Sequence, residues 1–468
     1  MAATTDSGAD EIADDILADV PVVRASGLLR ARSLWVAPIA LASIVVALMT
    51  LIYFGSIVNP SGHLHGLPVS IVNEDAGATA PTGRVALGQQ VVSALTGTSG
   101  VTSRLSLRTV SLAEAEKRMN HGDSVATIVV PPDFSASLLS LAGASPGVKH
   151  GSPTAVVQIL TNERVGSIAV GLATGVTGPA VAQISQAVGQ RLLPLSTAAA
   201  RGNSVNAAAL ANPISMTVTK YRPLPSHSGL GLSAFYLALL SMMCGFLGAT
   251  IIHNGVDSAL GYASSEVGPW WTQRMPLRIT RWQTLLTKWA VSCGVIPIVT
   301  SIMLTVAVFI LRMNAPHLAD LWAYSIGAAL VIAVGTLTLL AALGTLGQLV
   351  ALIIFIYLGL ASSGGTVPLQ ALSPFYRFVA EFEPLRQILG GVRAILYFNA
   401  IGDAGLHRAL LMTAAGLLFW VLAGATVTIA YDRRGLHRIS PEVMSYINRA
   451  VQARSAERQA AERPGSIA

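Results

Sequence analysis

The chain has 468 residues, 52% of them hydrophobic and only 11% charged. Soluble domains carry about 25% charged residues, and disorder needs low hydrophobicity with high net charge, so both classes are excluded. Mean hydropathy of +0.60 agrees, and an integral membrane protein is the class that remains.

Residues 1–33 form an N-terminal segment that is first acidic (Asp6, Asp10, Glu11, Asp14, Asp15, Asp19) and then basic (Arg24, Arg30, Arg32). Ile12, Ile16, Leu17 and Val20 recur at helical spacing, which predicts a surface helix. Residues 34–57 form the first predicted span. Its apolar core is too long for a cleaved signal peptide, and no small-residue cleavage site follows closely.

Residues 58–228 have ordinary domain composition and predict an α/β domain outside the membrane. Leu67 to Val72 alternates like a strand and runs into the turn Asn73-Glu74-Asp75-Ala76-Gly77. Leu105 to Val110 is a second predicted strand. Ser111 and Glu114 form a capping-box pair that opens a helix to about Asn120. Ser124 to Val130 is a third strand, stopped by Pro131-Pro132, and Asp133 is placed to cap the next helix. Thr154 to Leu160 is a fourth strand, and Val165 to Leu193 is a long helix or two. Paired acids at Asn73, Glu74 and Asp75 fit either cation or acid–base chemistry or a plain polar turn.

Residues 229–431 hold five further spans, read from stretches without Asp, Glu, Lys or Arg and the need for about 20 apolar residues per crossing. They are Leu230–Ile252, Trp289–Leu311, Leu321–Leu343, Leu346–Ala361 and Ala409–Tyr431, with Gly344 and Gly347 marking a tight turn. On this reading the six spans contain no charged residue, which disfavours a proton-driven pump. Basic residues collect before span one, between spans two and three (Arg274, Arg278, Arg281, Lys288), and in the tail, residues 432–468. Six spans put all three on one side, so both termini are cytoplasmic and the α/β domain is outside. With four lysines among 30 basic residues, the composition is that of a GC-rich bacterial genome, and the predicted location is the bacterial cytoplasmic membrane.

Between spans five and six, residues 362–408, Pro374, Arg377, Glu381, Glu383, Arg386 and Arg393 stand amid apolar residues. Arg377/Glu381 and Glu383/Arg386 have helical spacing. An amphipathic helix on the outer surface is predicted over Tyr376 to Leu396, broken or kinked at Pro384; it serves either function or the anchoring of span six. Trp270, Trp271 and Trp282 with Arg274, Arg278 and Arg281 suit a membrane interface or a docking surface.

No P-loop, Rossmann or H-E-x-x-H motif occurs. The one G-x-S-x-G, Gly143 to Gly147 around Ser145, lacks the strand–turn–helix setting of a nucleophile elbow. His63 and His65 supply too few ligands for a metal. No catalytic, cofactor or metal-binding residue is predicted, and the chain is not expected to be an enzyme or to bind nucleic acid.

Leu67 to Gly77 and Ala126 to Ser135 resemble the first two outer-domain motifs of the YhgE/Pip (phage infection protein)-like membrane proteins. Asn212-Pro-Ile and Gly229 leading to Phe235-Tyr236 fit as well, although the long coiled insert of many members is missing. The segment Ser362 to Pro368, then Pro374, Glu383-Pro384-Leu385 and Arg393, resembles the re-entrant outer loop of the ABC-2 permease superfamily. That resemblance implies a six-span subunit that forms a homodimer and works with a separate ATPase. It also implies that Pro374, Glu381, Glu383, Arg386 and Arg393 stand near an outer gate, and that Arg274, Arg278 and Arg281 lie in the ATPase-docking loop. With apolar spans, the expected substrate is a lipid or a drug, and membrane lipids are direct partners. The alternative is a non-transporting envelope protein whose outer domain binds a secretion apparatus, cell wall or phage.

Overall fold

The computed structural model describes residues 32–80, 83–142, 155–193, 196, 204–272, 274–436 and 438. The predicted N-terminal surface helix, the motif around Ser145, and Arg449, Arg454, Arg458 and Arg463 lie outside the described residues. The chain divides into two units, residues 1–55 and 56–468. In the first, helix α1 (Arg32–Ile57) is apolar around its whole circumference, as a helix with no aqueous face must be.

The second unit begins with an α/β domain. Its elements are β1 (Leu67–Asn73), β2 (Ala78–Ala80), β3 (Gly83–Val85), α2 (Leu87–Gly97), β4 (Leu105–Thr109), α3 (Leu112–Asn120), β5 (Ala126–Val130), α4 (Phe134–Leu141), β6 (Ala155–Thr161), α5 (Ser167–Leu192) and β7 (Ile214–Lys220). Five strands make one sheet in the order β4-β1-β5-β6-β7. The pairs β1–β4, β1–β5 and β6–β7 are parallel, and β5–β6 is antiparallel. Central β5 is buried at every position, which is why Ala126 to Val130 is a continuous apolar run. Ser111 caps α3 as predicted, accepting a bond from the Glu114 N–H at 3.3 Å. Asp133 stands at the start of α4 without a side-chain cap bond. Strand β7 and the β2–β3 hairpin were not predicted.

The bundle follows: α6 (Ser233–Ala259), the hairpin of β8 (Ser265–Val267) and β9 (Trp270–Thr272), α7 (Arg281–Thr305, continued by a π-helical turn over Val306–Ile310), and α8 (Leu318–Leu343). Next come α9 (Thr345–Ser362, π-helical over Leu352–Leu358), α10 (Pro374–Ala380), α11 (Pro384–Tyr397) and α12 (Leu406–Arg433). Gly344 makes the α8–α9 turn with φ +62°, a conformation that favours glycine. A Cβ on Gly245 would strike the Ala329 carbonyl oxygen, so that glycine is what lets α6 and α8 approach closely. The core between α6, α8, α9 and α11 is built from Phe235, Phe246, Ile332, Phe355 and Leu389.

Among the described residues, seven helices are long and apolar enough to cross a membrane. Six coincide with the predicted spans. The seventh is α5, which packs against β7 and α2 of the α/β domain. The helices also run further than the charge-free windows: α6 includes Asp257, α7 starts at Arg281 and includes Lys288, and α12 includes Arg408 and Asp432. The expectation of charge-free helices is therefore corrected. A helix end that carries a charge was taken for loop.

Asp75 ties the α/β domain together. Its Oδ1 accepts from the N–H groups of Gly77 and Ser135 at 3.2 and 3.0 Å. Its Oδ2 accepts from the Gly88 N–H at 2.9 Å and the Ser135 hydroxyl at 2.6 Å. Ser135 Oγ in turn accepts from the Leu87 N–H at 2.8 Å. Two sequence motifs 60 residues apart thus meet at the first turn of α2, where a carboxylate meets otherwise orphan N–H groups. Hydrogen bonds to a charged group are worth about 1.5–3 kcal/mol. Asp75→Ala should lower the unfolding free energy of the full-length protein by about 2–3 kcal/mol, whereas exposed Glu74→Ala should change it by less than about 0.5 kcal/mol; denaturant titration measures both.

Candidate functional site

In the segment after α9, α10 keeps Phe375 and Phe378 exposed, as a surface helix would, whereas α11 returns into the bundle. On α11, Leu385, Ile388, Leu389, Val392, Ile395 and Leu396 are all buried, and the helix packs on α6, α8 and α12. Of the two expected effects of Pro384, a break or a kink, the structure has the break: α10 and α11 are parted at residues 381–383. Pro384 does not kink α11. It opens it at N1, where its missing N–H costs nothing. Pro374 opens α10 in the same way.

Glu383 supplies what Pro384 cannot. Its two carboxyl oxygens accept from the N–H groups of Leu385 and Arg386 at 2.8 and 2.9 Å. The side chain is 4% exposed and rests on Gly359 of α9, where a Cβ would come within 2.8 Å of Oε1. Burial pushes the Glu383 carboxyl up to about 8, although the two N–H bonds act in the other direction. Glu381 instead is exposed and held below the usual carboxylate range by hydrogen bonds from Arg408 and Arg386, at 2.5 and 3.0 Å. The predicted Arg377/Glu381 pairing is thus replaced by one with Arg386 and Arg408. Arg393 faces the Gly364–Thr366 loop and the start of α6. Its Nε is buried without a hydrogen-bond partner, and burial lowers its pKa to about 10.

Beside α11 lies a mainly apolar cavity of about 360 Å³. Ile332, Phe355, Phe382, Ile388, Phe419 and Trp420 are among its lining residues, with Gln387 and Thr413 as its polar points. At this end of the bundle Arg164, from the α/β domain, donates to the Tyr397 carbonyl at 3.1 Å, which joins the domain to the end of α11.

The opposite end carries the loop of Trp270, Trp271, Arg274 and Arg278, all exposed. Arg281 departs from that group. It is half-buried, donates through Nε to the Leu436 carbonyl at 2.6 Å and stacks over Tyr431. Asp432 of α12 caps α7 by accepting from the N–H groups of Arg281 and Trp282 at 2.9 and 3.0 Å.

Next to it is a buried charge cluster that the charge-free windows missed. Asp257 is 4% and Lys288 3% exposed. Asp257 accepts from Lys288 at 2.7 Å and from both terminal nitrogens of Arg438 at 2.7 Å. His253 stands 3.3 Å from Asp257 and 2.9 Å from the Lys288 ammonium. The sequence signal was the His253/Asp257 spacing of four, one helical turn. A cavity of about 330 Å³ opens against this cluster. The predicted turn of Asn73, Glu74 and Asp75 is far from both cavities in role: Asn73 Oδ1 accepts from the Asp75 N–H at 3.2 Å, and Asp75 is spent on the clamp described above.

The Glu383 carboxyl binds its proton more tightly when folded, near 8 against about 4.5 for the free group. The folded state then holds more protons between those values, so stability is highest below about 4.5 and falls as pH rises towards 8. The thermal midpoint should therefore drop further between pH 5 and pH 9 in the native chain than in Glu383→Gln, which is neutral throughout; parallel profiles would contradict this. Glu383→Ala, which removes both acceptors, should cost about 2 kcal/mol at pH 6.

No curated protein matches the chain. Among solved structures, a domain of a candidate ABC type-2 transporter from Thermotoga maritima MSB8 aligns with 21% identity and a TM-score of 0.22, covering 33% of this chain and 85% of that one. Residues 37–422 match a family described as proteins of unknown function (DUF3533), and the match runs from α1 into α12. The chain therefore belongs to the DUF3533 family.

Proposed function

We propose that the chain is an ABC-2-type permease subunit that exports a hydrophobic or amphipathic substrate, a lipid or a drug, with a separate ATPase. The observation that carries this reading is the buried helix α11 beside an apolar cavity. A membrane anchor needs neither, whereas a path for an apolar molecule needs both a lipophilic space and a movable stop. Phe382 just before α11 and Gln387 within it line the cavity, so displacement of α11 would reshape it. The sequence resemblance to YhgE/Pip proteins and to the ABC-2 outer loop supports the same reading.

On this proposal α1, α6, α7, α8, α9 and α12 cross the bacterial cytoplasmic membrane and α5 belongs to the outer α/β domain. Both termini are cytoplasmic, because six spans put the three basic segments of the sequence on one side. Two copies assemble. The chain has no P-loop, so energy enters through an ATPase docked on the exposed Arg274 and Arg278 loop.

Two measurements test this. Ala415→Trp, on the cavity wall, should reduce ATP-dependent uptake of a lipophilic fluorescent substrate into inverted vesicles several-fold while leaving ATPase co-purification intact. Arg274→Glu with Arg278→Glu should abolish co-purification. Recovery of the native chain with no ATPase, together with unchanged efflux on deletion, overturns the proposal.

A further inference from the structure

The cavity at the α6–α7 end has an unusual charge balance. Arg281, Lys288 and Arg438 line it, and among the described lining residues Asp257 is the single acid. Asp257 already receives Lys288 and Arg438. His253 accepts from the Lys288 ammonium at Nδ1, so it stands neutral, with Nε2 towards Asp257. Lys288 and Asp257 balance each other in the wall, Asp432 stands beside Arg281 on the N–H groups that open α7, and the remaining positive charge is carried by the half-buried Arg281 and Arg438, whose guanidinium groups suit an anion entering the cavity.

The wall also holds neutral hydrogen-bonding groups, Asn254 and Gln348, around the same space. Leu285, Leu340 and Ala341 add apolar surface to the same wall. At 330 Å³ the space holds about ten waters at about 30 Å³ each, ample for a phosphate ester. Arginine beside lysine is the donor set that phosphate oxygens favour.

We propose that this cavity binds a phosphate group, and that the group is the headgroup of an anionic phospholipid whose glycerol and chain start rest on the apolar surface. The inference does not depend on transport. It differs from ordinary attraction of interfacial arginines to headgroups, because Arg438 is held in place by two hydrogen bonds to buried Asp257 and Arg281 by its bond to the Leu436 carbonyl.

Full-length protein in neutral detergent decides it. Native mass spectrometry should retain phosphatidylglycerol in preference to phosphatidylcholine. Arg281→Gln should weaken that retention about tenfold, while Arg434→Gln, an exposed arginine at the same end, should leave it unchanged. Thermal unfolding with sodium phosphate against sodium chloride at equal ionic strength separates the sources. A shift with phosphate equal to that with phosphatidylglycerol assigns the site to free phosphate and overturns the lipid. Stabilisation by the lipid alone supports it. If Arg281→Gln does not fold, Gln348→Leu serves, with several-fold weakening expected. No preference for phosphatidylglycerol over phosphatidylcholine, or equal weakening by Arg434→Gln, overturns the site.

Discussion

The bundle depends on one carboxyl group ending a helix where water cannot. The first N–H groups of α11 have no intrahelical partner, and they open inside the packed core. An unmet buried N–H costs about 1–3 kcal/mol, so α11 can return into the bundle only with an acceptor in place. Glu383 is that acceptor for two of them, Pro384 removes the need for another, and Gly359 leaves room for the carboxyl against α9. With the N-terminus of α11 satisfied, its apolar face joins α6, α8 and α12, and its first turn lines the apolar cavity together with α8, α9 and α12.

The other end of the bundle uses the same device. Asp432 of α12 caps α7, and Asp257 of α6 joins α7 through Lys288 and the segment after α12 through Arg438. Carboxylates thus fasten helix to helix at both ends, while close glycine contacts and apolar packing hold the middle. A buried ion pair is weak evidence of net stability, so the value of Asp257 lies in fixing which helices meet. The π-helical turns in α7 and α9 fall between these fastened ends, where one extra residue per turn shifts the side chains that face the core.

Alternation and charge-free length made most elements legible. β1, β4, β5 and β6 and helices α1, α8, α9 and α12 fall within a few residues of their predicted bounds, while α6 and α7 run about two turns past theirs at the end that carries Asp257 and Lys288. β7 was passed over although Ile214, Met216 and Val218 alternate; like β4 it is an edge strand with one buried position. The amphipathic character of α11 was legible but its place was not. A hydrophobic face says that something apolar covers it, and protein and lipid satisfy that equally. The Asp75 clamp was hidden for another reason: its partners are backbone N–H groups and a serine 60 positions away, and sequence spacing records neither.

Length and hydropathy alone treat α5 and α12 alike, but their surfaces differ. In α5 the buried stripe is Ala169, Ala173, Ala180, Ile184, Val188 and Leu192, and the exposed side carries Gln183, Gln186, Gln190 and Arg191. Hydrocarbon around those amides would strip each of its hydrogen bonds to water at a cost of a few kcal/mol. On α12 the exposed side is Leu410, Leu411, Leu418, Phe419 and Leu422, which water would penalise instead. The helix that faces solvent with glutamines is the one that packs on the sheet through small residues. The helix that faces outward with leucines is the one that the carboxylate of Glu381 reaches through Arg408. Which solvent each helix is built for is thus written on its exposed face, and its mean hydropathy averages that information away.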